Sequence, residues 1–137
     1  MGFFDTSADV LDLRDVVEAG REYFETWADD DATPDDRQEA YEALQELDRV
    51  QISLGLGGIG YAGALDALEA YANDEPTLIA ESYFETYAEE LAEELGMIQQ
   101  DAGWPSRHID WEAAANELRQ DYNEVELEGH TYLIRAV

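Results

Sequence analysis

The sequence predicts a mainly α, α+β fold, with a helical N-terminal lobe followed by a C-terminal lobe of one helix and a β-hairpin. Three observations predict it. Apolar residues recur at helical spacing in five segments between Asp12 and Gln120. Helix start signals precede several of them, with Thr33-Pro34 and Asp110 the clearest. Only after Glu124 does the pattern change to alternation, about a Glu128-Gly129 turn. Residues 1–76 are expected to form the acidic helical lobe and residues 77–137 the second.

The first helix is expected from about Asp12 to Asp29. Leu13, Val16, Val17, Phe24 and Trp27 form its apolar stripe, with Gly20 on the same face, where it permits a close crossing. Asp15, Glu18, Glu22, Glu25 and Asp29 fall on the opposite face, within about 80° at 100° per residue. The second helix begins with Thr33 as N-cap, Pro34 at the first helical position, and Asp35 and Asp36 at the positive end of the dipole. Tyr41, Leu44 and Leu47 make its buried stripe, and Asp35, Glu39, Glu42 and Glu46 lie on the far side. The pair reads as an antiparallel hairpin joined by a turn from Asp30 to Thr33.

Val50 to Leu54 is a candidate short strand, and glycines follow at 55, 57, 58, 60 and 63. A third helix is expected over roughly Tyr61 to Asn73, with Leu65, Leu68 and Tyr71 inward, until Asn73-Asp74-Glu75-Pro76 breaks it. The fourth helix starts between Thr77 and Ser82, where Ser82 and Glu85 have capping-box spacing, and stops at Gly96. Phe84, Tyr87, Ala88, Leu91 and Leu95 form its apolar stripe, with Glu81, Glu85, Glu89 and Glu93 along one flank. Beyond a loop containing Trp104-Pro105, Asp110 caps a fifth helix that reaches about Gln120 and turns Trp111, Ala114, Ala115 and Leu118 inward. In the terminal hairpin Val125, Leu127, Tyr132 and Ile134 share one face. A lone hairpin is marginal, so it must pack on the fifth helix or pair with another strand.

Charge bounds the function. The chain has 34 carboxylates against 7 basic residues, all Arg, for a net charge of −27. Such a surface repels phosphate and anionic lipid and attracts basic surfaces, so neither direct nucleic-acid binding nor a membrane role is expected. There is no cysteine, hence no disulfide or thiolate metal site. No run long enough to span a bilayer and no signal-peptide pattern is legible, so the host-cell cytoplasm is the expected location.

Enzyme chemistry finds no support. Gly55-Leu56-Gly57-Gly58-Ile59-Gly60 matches GxGxxG. A dinucleotide site would need a strand before it and a parallel strand after the helix, and the charge repels a pyrophosphate, so a flexible or closely packed helix connection is the favoured reading. Met1-Gly2-Phe3-Phe4-Asp5-Thr6 is only a weak match to a myristoylation pattern. His108 and His130 lack metal-ligand spacing, and Pro34 sits where an EF-hand loop over 29–36 needs glycine. No catalytic residue, cofactor or metal is expected.

The carboxylate stripes are the informative feature. Ordinary helix faces mix charge signs, whereas here like charges repeat at i+3 and i+4 on three helices. Duplex DNA carries about one charge per 1.7 Å of axis, so a charge of −27 matches roughly 46 Å of duplex. The density suits a protein that imitates DNA. It also suits a housekeeping domain of a halophile, or an acidic accessory or chaperone-like module that shields a basic partner.

The segment Glu81-Ser-Tyr-Phe-Glu-Thr-Tyr-Ala-Glu-Glu-Leu-Ala-Glu-Glu-Leu-Gly96, then Trp104-Pro105, Ile109-Asp-Trp-Glu-Ala-Ala-Ala-Asn-Glu-Leu118, Asp121-Tyr122 and Gly129 to Arg135 resembles acidic phage and prophage proteins and the C-terminal part of ArdA-type antirestriction proteins. The resemblance covers about Thr77 to Arg135. The N-terminal half is closer to the phage proteins and lacks the β-rich N-terminal domain of ArdA. The resemblance implies a DNA-mimic inhibitor that occupies the DNA groove of a restriction–modification or CRISPR-type defence complex. The partner is then a DNA-binding protein or nucleoprotein. Its contact surface would be Asp15, Glu18, Glu22, Glu25, Asp29, Asp35, Glu39, Glu42, Glu46, Glu81, Glu85, Glu89 and Glu93. The resemblance also implies a homodimer. The aromatic C-terminal half offers Trp104, Tyr122, Tyr132 and Leu133 as interface candidates.

Overall fold

The computed structural model describes residues 3–4, 6–96 and 108–136. Its elements in order are β1 (Val10–Asp12), α1 (Leu13–Ala28), α2 (Pro34–Ser53), α3 (Gly60–Asp74), β2 (Thr77–Ala80), α4 (Phe84–Glu94), α5 (Trp111–Arg119), β3 (Tyr122–Leu127) and β4 (His130–Arg135), with a 3-10 turn at Glu81–Tyr83 leading into α4. The fold is α+β, with five helices around a small four-stranded sheet among the described residues.

Local chemistry explains most helix starts. The Asp12 carboxylate accepts from Arg14 N, Thr33 Oγ1 from Asp36 N at 3.1 Å, and Asp110 from Ala113 N at 3.1 Å. α4 differs from expectation. The Ser82 capping box does not form, because Glu81–Tyr83 coils as a 3-10 turn and no side chain caps the helix. The candidate strand at Val50 to Leu54 is also not a strand. α2 continues through Ser53 because Val50 and Gln51 are buried, so the helical repeat runs on for another turn. It closes in a Schellman turn, with Gly55 N donating to Ile52 O and Leu56 N to Gln51 O.

The glycine-rich stretch is a tight helix connection. Buried Gln51 donates through Nε2 to Gly58 O at 3.2 Å and accepts from Gly58 N at 3.0 Å, satisfying both peptide groups of that residue. A Cβ on Gly58 would lie 2.5 Å from Gly63 O. The loop backbone therefore crosses the start of α3 in direct contact, and the sequence match to a phosphate loop has a packing explanation.

Two strands were not legible in the sequence. β1 pairs antiparallel with β2 (Leu11 opposite Leu78), β2 with β4 (Ile79 opposite Leu133), and β4 with β3 (Val125 opposite Tyr132), in the order β1-β2-β4-β3. The hairpin thus finds the additional strand it needs in β2. Its two-residue turn has φ of 53° at Glu128 and 81° at Gly129, as the twist of a tight hairpin requires. Glu128 holds that conformation, uncommon for a residue with a Cβ, through its contacts. Its N–H donates to Glu46 at 2.7 Å, and its carboxylate accepts from the N–H groups of Phe3 and Phe4.

The sheet is covered on both faces. On one, Leu78, Val125, Leu127, Tyr132 and Ile134 pack against Val16, Val17, Leu44, Leu47, Leu65 and Leu68 of α1, α2 and α3. On the other, Ile79 and Leu133 meet Phe84, Ala88 and Ala115 of α4 and α5. β4 therefore supplies both cores by alternation. The larger core draws on residues from each side of the expected boundary at residue 76, and β1 pairs with β2 across it.

Candidate functional site

The outer face of α1 presents Asp15, Glu18, Glu22, Glu25 and Asp29, all exposed. The core-facing residues Leu13, Val16, Val17 and Gly20 lie on the opposite side, which is why the acids have no alternative but water. α2 adds Asp35, Glu39 and Glu42, also exposed. The two rows approach one another at Tyr23, whose hydroxyl is pushed up by burial first and then by Glu39, Glu128 and Glu22.

The arginines leave these rows unneutralised. Among the described residues, Arg14 pairs with Asp12, Arg21 with Asp66 and Glu69, Arg49 with Glu46, and Arg119 with Glu81 and Glu124. Among the described residues, none of Asp15, Glu18, Glu22, Glu25, Asp29, Asp35, Glu39 or Glu42 joins an ion pair. The hydrogen bond from Arg14 holds the Asp12 carboxyl below the usual range. Arg21 ties α1 to α3, and Arg119 ties α5 to β3 and the turn before α4, whereas the pairs of Arg14 and Arg49 are local.

Several expected surface residues have other work. Glu46 is half-buried, accepting from Glu128 N and from Arg49 Nη1 at 2.7 Å, so it fastens α2 to the β3–β4 turn instead of facing a partner. Glu81 is exposed but held by Arg119 at 2.5 Å. Glu85 is exposed, whereas Glu89 and Glu93 are half-buried. The acidic face is therefore best developed on the α1–α2 hairpin.

Two of the four interface candidates are enclosed by the fold. Tyr132 and Leu133 are 1% and 0% exposed, enclosed on opposite faces of the sheet between the two helical layers, and present nothing to a second molecule. Tyr122 is half-buried, its ring 5.1 Å from Phe84, and burial pushes its hydroxyl strongly up. Trp104 lies outside the described residues.

Sequence periodicity placed Trp27 and Tyr41 in the core, but each is 37% exposed. Trp27 precedes the last residue of α1, where the apolar stripe runs on past the body that would cover it. Tyr41 points away from the buried arc of α2 marked by Ala40, Ala43, Leu44 and Leu47. With Pro34, Arg37 and Gln38 they line an open concavity of about 410 Å3 at the hairpin end. Its uncovered position is a tertiary fact, though an apolar stripe extending to the very end of a helix is a usable signal.

Among the described residues no group of three or more His, Asp or Glu side chains is placed to hold a metal ion, and no helix is long and apolar enough to cross a membrane. The site's chemistry is that of charge display. Searched against known proteins, the chain matches no protein-family model, no curated protein and no solved structure.

Proposed function

We propose that this chain is a DNA-mimic inhibitor that occupies the basic DNA groove of a host-defence enzyme, a restriction–modification or CRISPR-type complex, and acts by occupancy without chemistry of its own. The observation that carries the reading is the unpaired carboxylate row on α1, continued on α2. From Asp15 to Asp29 the row extends about 21 Å at 1.5 Å per residue. The neighbouring helix α2 adds Asp35, Glu39 and Glu42 as a second exposed row, on an axis about 8–10 Å away as packed helices lie. A groove lined with Lys and Arg gains from each row what it gains from phosphates, including steering at a distance.

The test is competition. Labelled DNA bound to a purified restriction–modification or CRISPR-type complex should be displaced by the chain, and displacement should weaken steeply as salt rises. The chain alone should leave labelled DNA and RNA unshifted. Tight binding of bare DNA, or no displacement from any such complex, would refute the proposal.

A second reading has its own support. Asp66, Glu69, Glu112, Glu117, Glu124 and Glu126 are exposed on other faces, so acidity is not confined to one surface, as suits a domain solvated in a salty cytoplasm. Folding only in multimolar KCl, with no displacement of DNA, would favour that reading.

A further inference from the structure

We infer that the turn end of the α1–α2 hairpin is a docking surface for an arginine side chain of a basic partner protein, with the rings of Trp27 and Tyr41 as its seat. The inference rests on the basic-partner reading above and specifies where that partner is gripped. Among the described residues six large apolar side chains are exposed, and Trp27 and Tyr41 share one concavity; exposed apolar clusters mark interaction sites.

The seat is held in shape before anything binds. The Trp27 ring lies 5.2 Å from Tyr61 and 5.8 Å from Phe24, and the Tyr41 ring lies 6.1 Å from Tyr61. Gln45 Nε2 donates to the Tyr41 hydroxyl at 3.0 Å. Rings fixed by such contacts lose little further freedom when a ligand stacks on them.

Charge selects the occupant. Asp29, Asp30 and Asp31, between Trp27 and Pro34, and Asp35 and Asp36, between Pro34 and Arg37, flank the lining residues in the chain, all exposed and all outside any ion pair among the described residues. Among the described residues the one cation lining the concavity is Arg37. A cation is drawn in, and a guanidinium suits the seat better than an ammonium because its plane stacks on an aromatic face while its edge donates to carboxylates. A second copy of the chain would bring the same aspartates and a further −27, which opposes it. Aromatic centres ringed by polar groups are where interface energy concentrates.

The experiment compares nona-arginine with nona-lysine, two probes of equal charge, by fluorescence anisotropy at fixed salt. The double variant Trp27→Ala/Tyr41→Ala should lower the arginine-over-lysine preference by about threefold, the size of a cation–π contact at an exposed site, while nona-lysine affinity and its salt slope stay unchanged. Arg37→Ala should tighten nona-arginine binding by removing the resident guanidinium. In the unsubstituted chain, the Trp27 indole N–H resonance should shift with nona-arginine and not with nona-lysine, a readout that needs no truncated ring. A preference that survives the double substitution, or an indole resonance that ignores both peptides, overturns the inference and leaves DNA displacement to be judged separately. Sedimentation showing a dimer that Tyr41→Glu dissolves also overturns it, because the seat then belongs to a second copy.

Discussion

Replacing Glu18, Glu22 and Glu25 together by Gln tests whether charge on α1 is displayed at a cost. These three residues take part in four like-charge contacts at i+3 or i+4: Asp15–Glu18, Glu18–Glu22, Glu22–Glu25 and Glu25–Asp29. Arg14 and Arg21 stand within a turn but are turned to Asp12 and to Asp66 and Glu69, so no recorded ion pair is lost. Each contact costs about 0.2–0.5 kcal/mol at low salt, so the triple variant should gain about 1–2 kcal/mol. Gln and Glu have similar helix propensity, and Asp15 is retained at the positive end of the helix dipole. For a chain of this size that gain raises Tm by roughly 3–8 °C. The assay is thermal unfolding by circular dichroism at low salt and at about 1 M KCl, where the screening length falls to about 3 Å and the gain should vanish. The same variant should displace DNA less well, with the salt dependence of displacement reduced by about three charges. Glu18→Gln alone should change either readout only slightly. An unmoved Tm at low salt, or a gain that persists at 1 M KCl, would show that the row is not self-repelling.

Two further outcomes follow from the packing. Gly58→Ala should destabilise by more than about 3 kcal/mol, since its Cβ would meet Gly63 O at 2.5 Å and backbone cannot step aside; Gly20→Ala should cost only about 1–3 kcal/mol, because the atoms in the way are the ends of Leu47 and Leu65. Denaturant titration ranks them, and equal costs would contradict the close crossing at Gly58. At high pH, Tyr71 and Tyr122 link ionisation to unfolding, because burial pushes both above 10.0. Their folded pKa is raised, so the stability they contribute is complete below about pH 10 and is lost as pH climbs beyond it. Phenolate absorbance at 295 nm should therefore rise in step with loss of helix signal for part of the tyrosine population. Complete ionisation with helix signal intact would refute the assignment.

Sequence alone determined the helices and the acidic face. Periodicity placed α1, α3 and α5 within a few residues, and caps placed the start of α2, because helix formation is governed by neighbours three and four positions away. Thr33 and Asp110 act as caps because a cap bonds within its own first turn. The hairpin was legible for the same reason: alternation and the Glu128-Gly129 turn are local. The row from Asp15 to Asp29 was readable too, since any residue opposite Leu13, Val16 and Val17 must face water.

The remainder depended on contacts distant in the chain. β1 and β2, of 3 and 4 residues, are too short to display a period, and they become strands only because Val10 meets Ile79 and Ile79 meets Leu133. That pairing also encloses Tyr132 and Leu133, which no pattern within the hairpin could reveal. Glu46 left the acidic display when the β3–β4 turn came to rest against α2. Trp27 and Tyr41 reached the surface because periodicity specifies the direction of a side chain and says nothing of whether a neighbour is there to cover it.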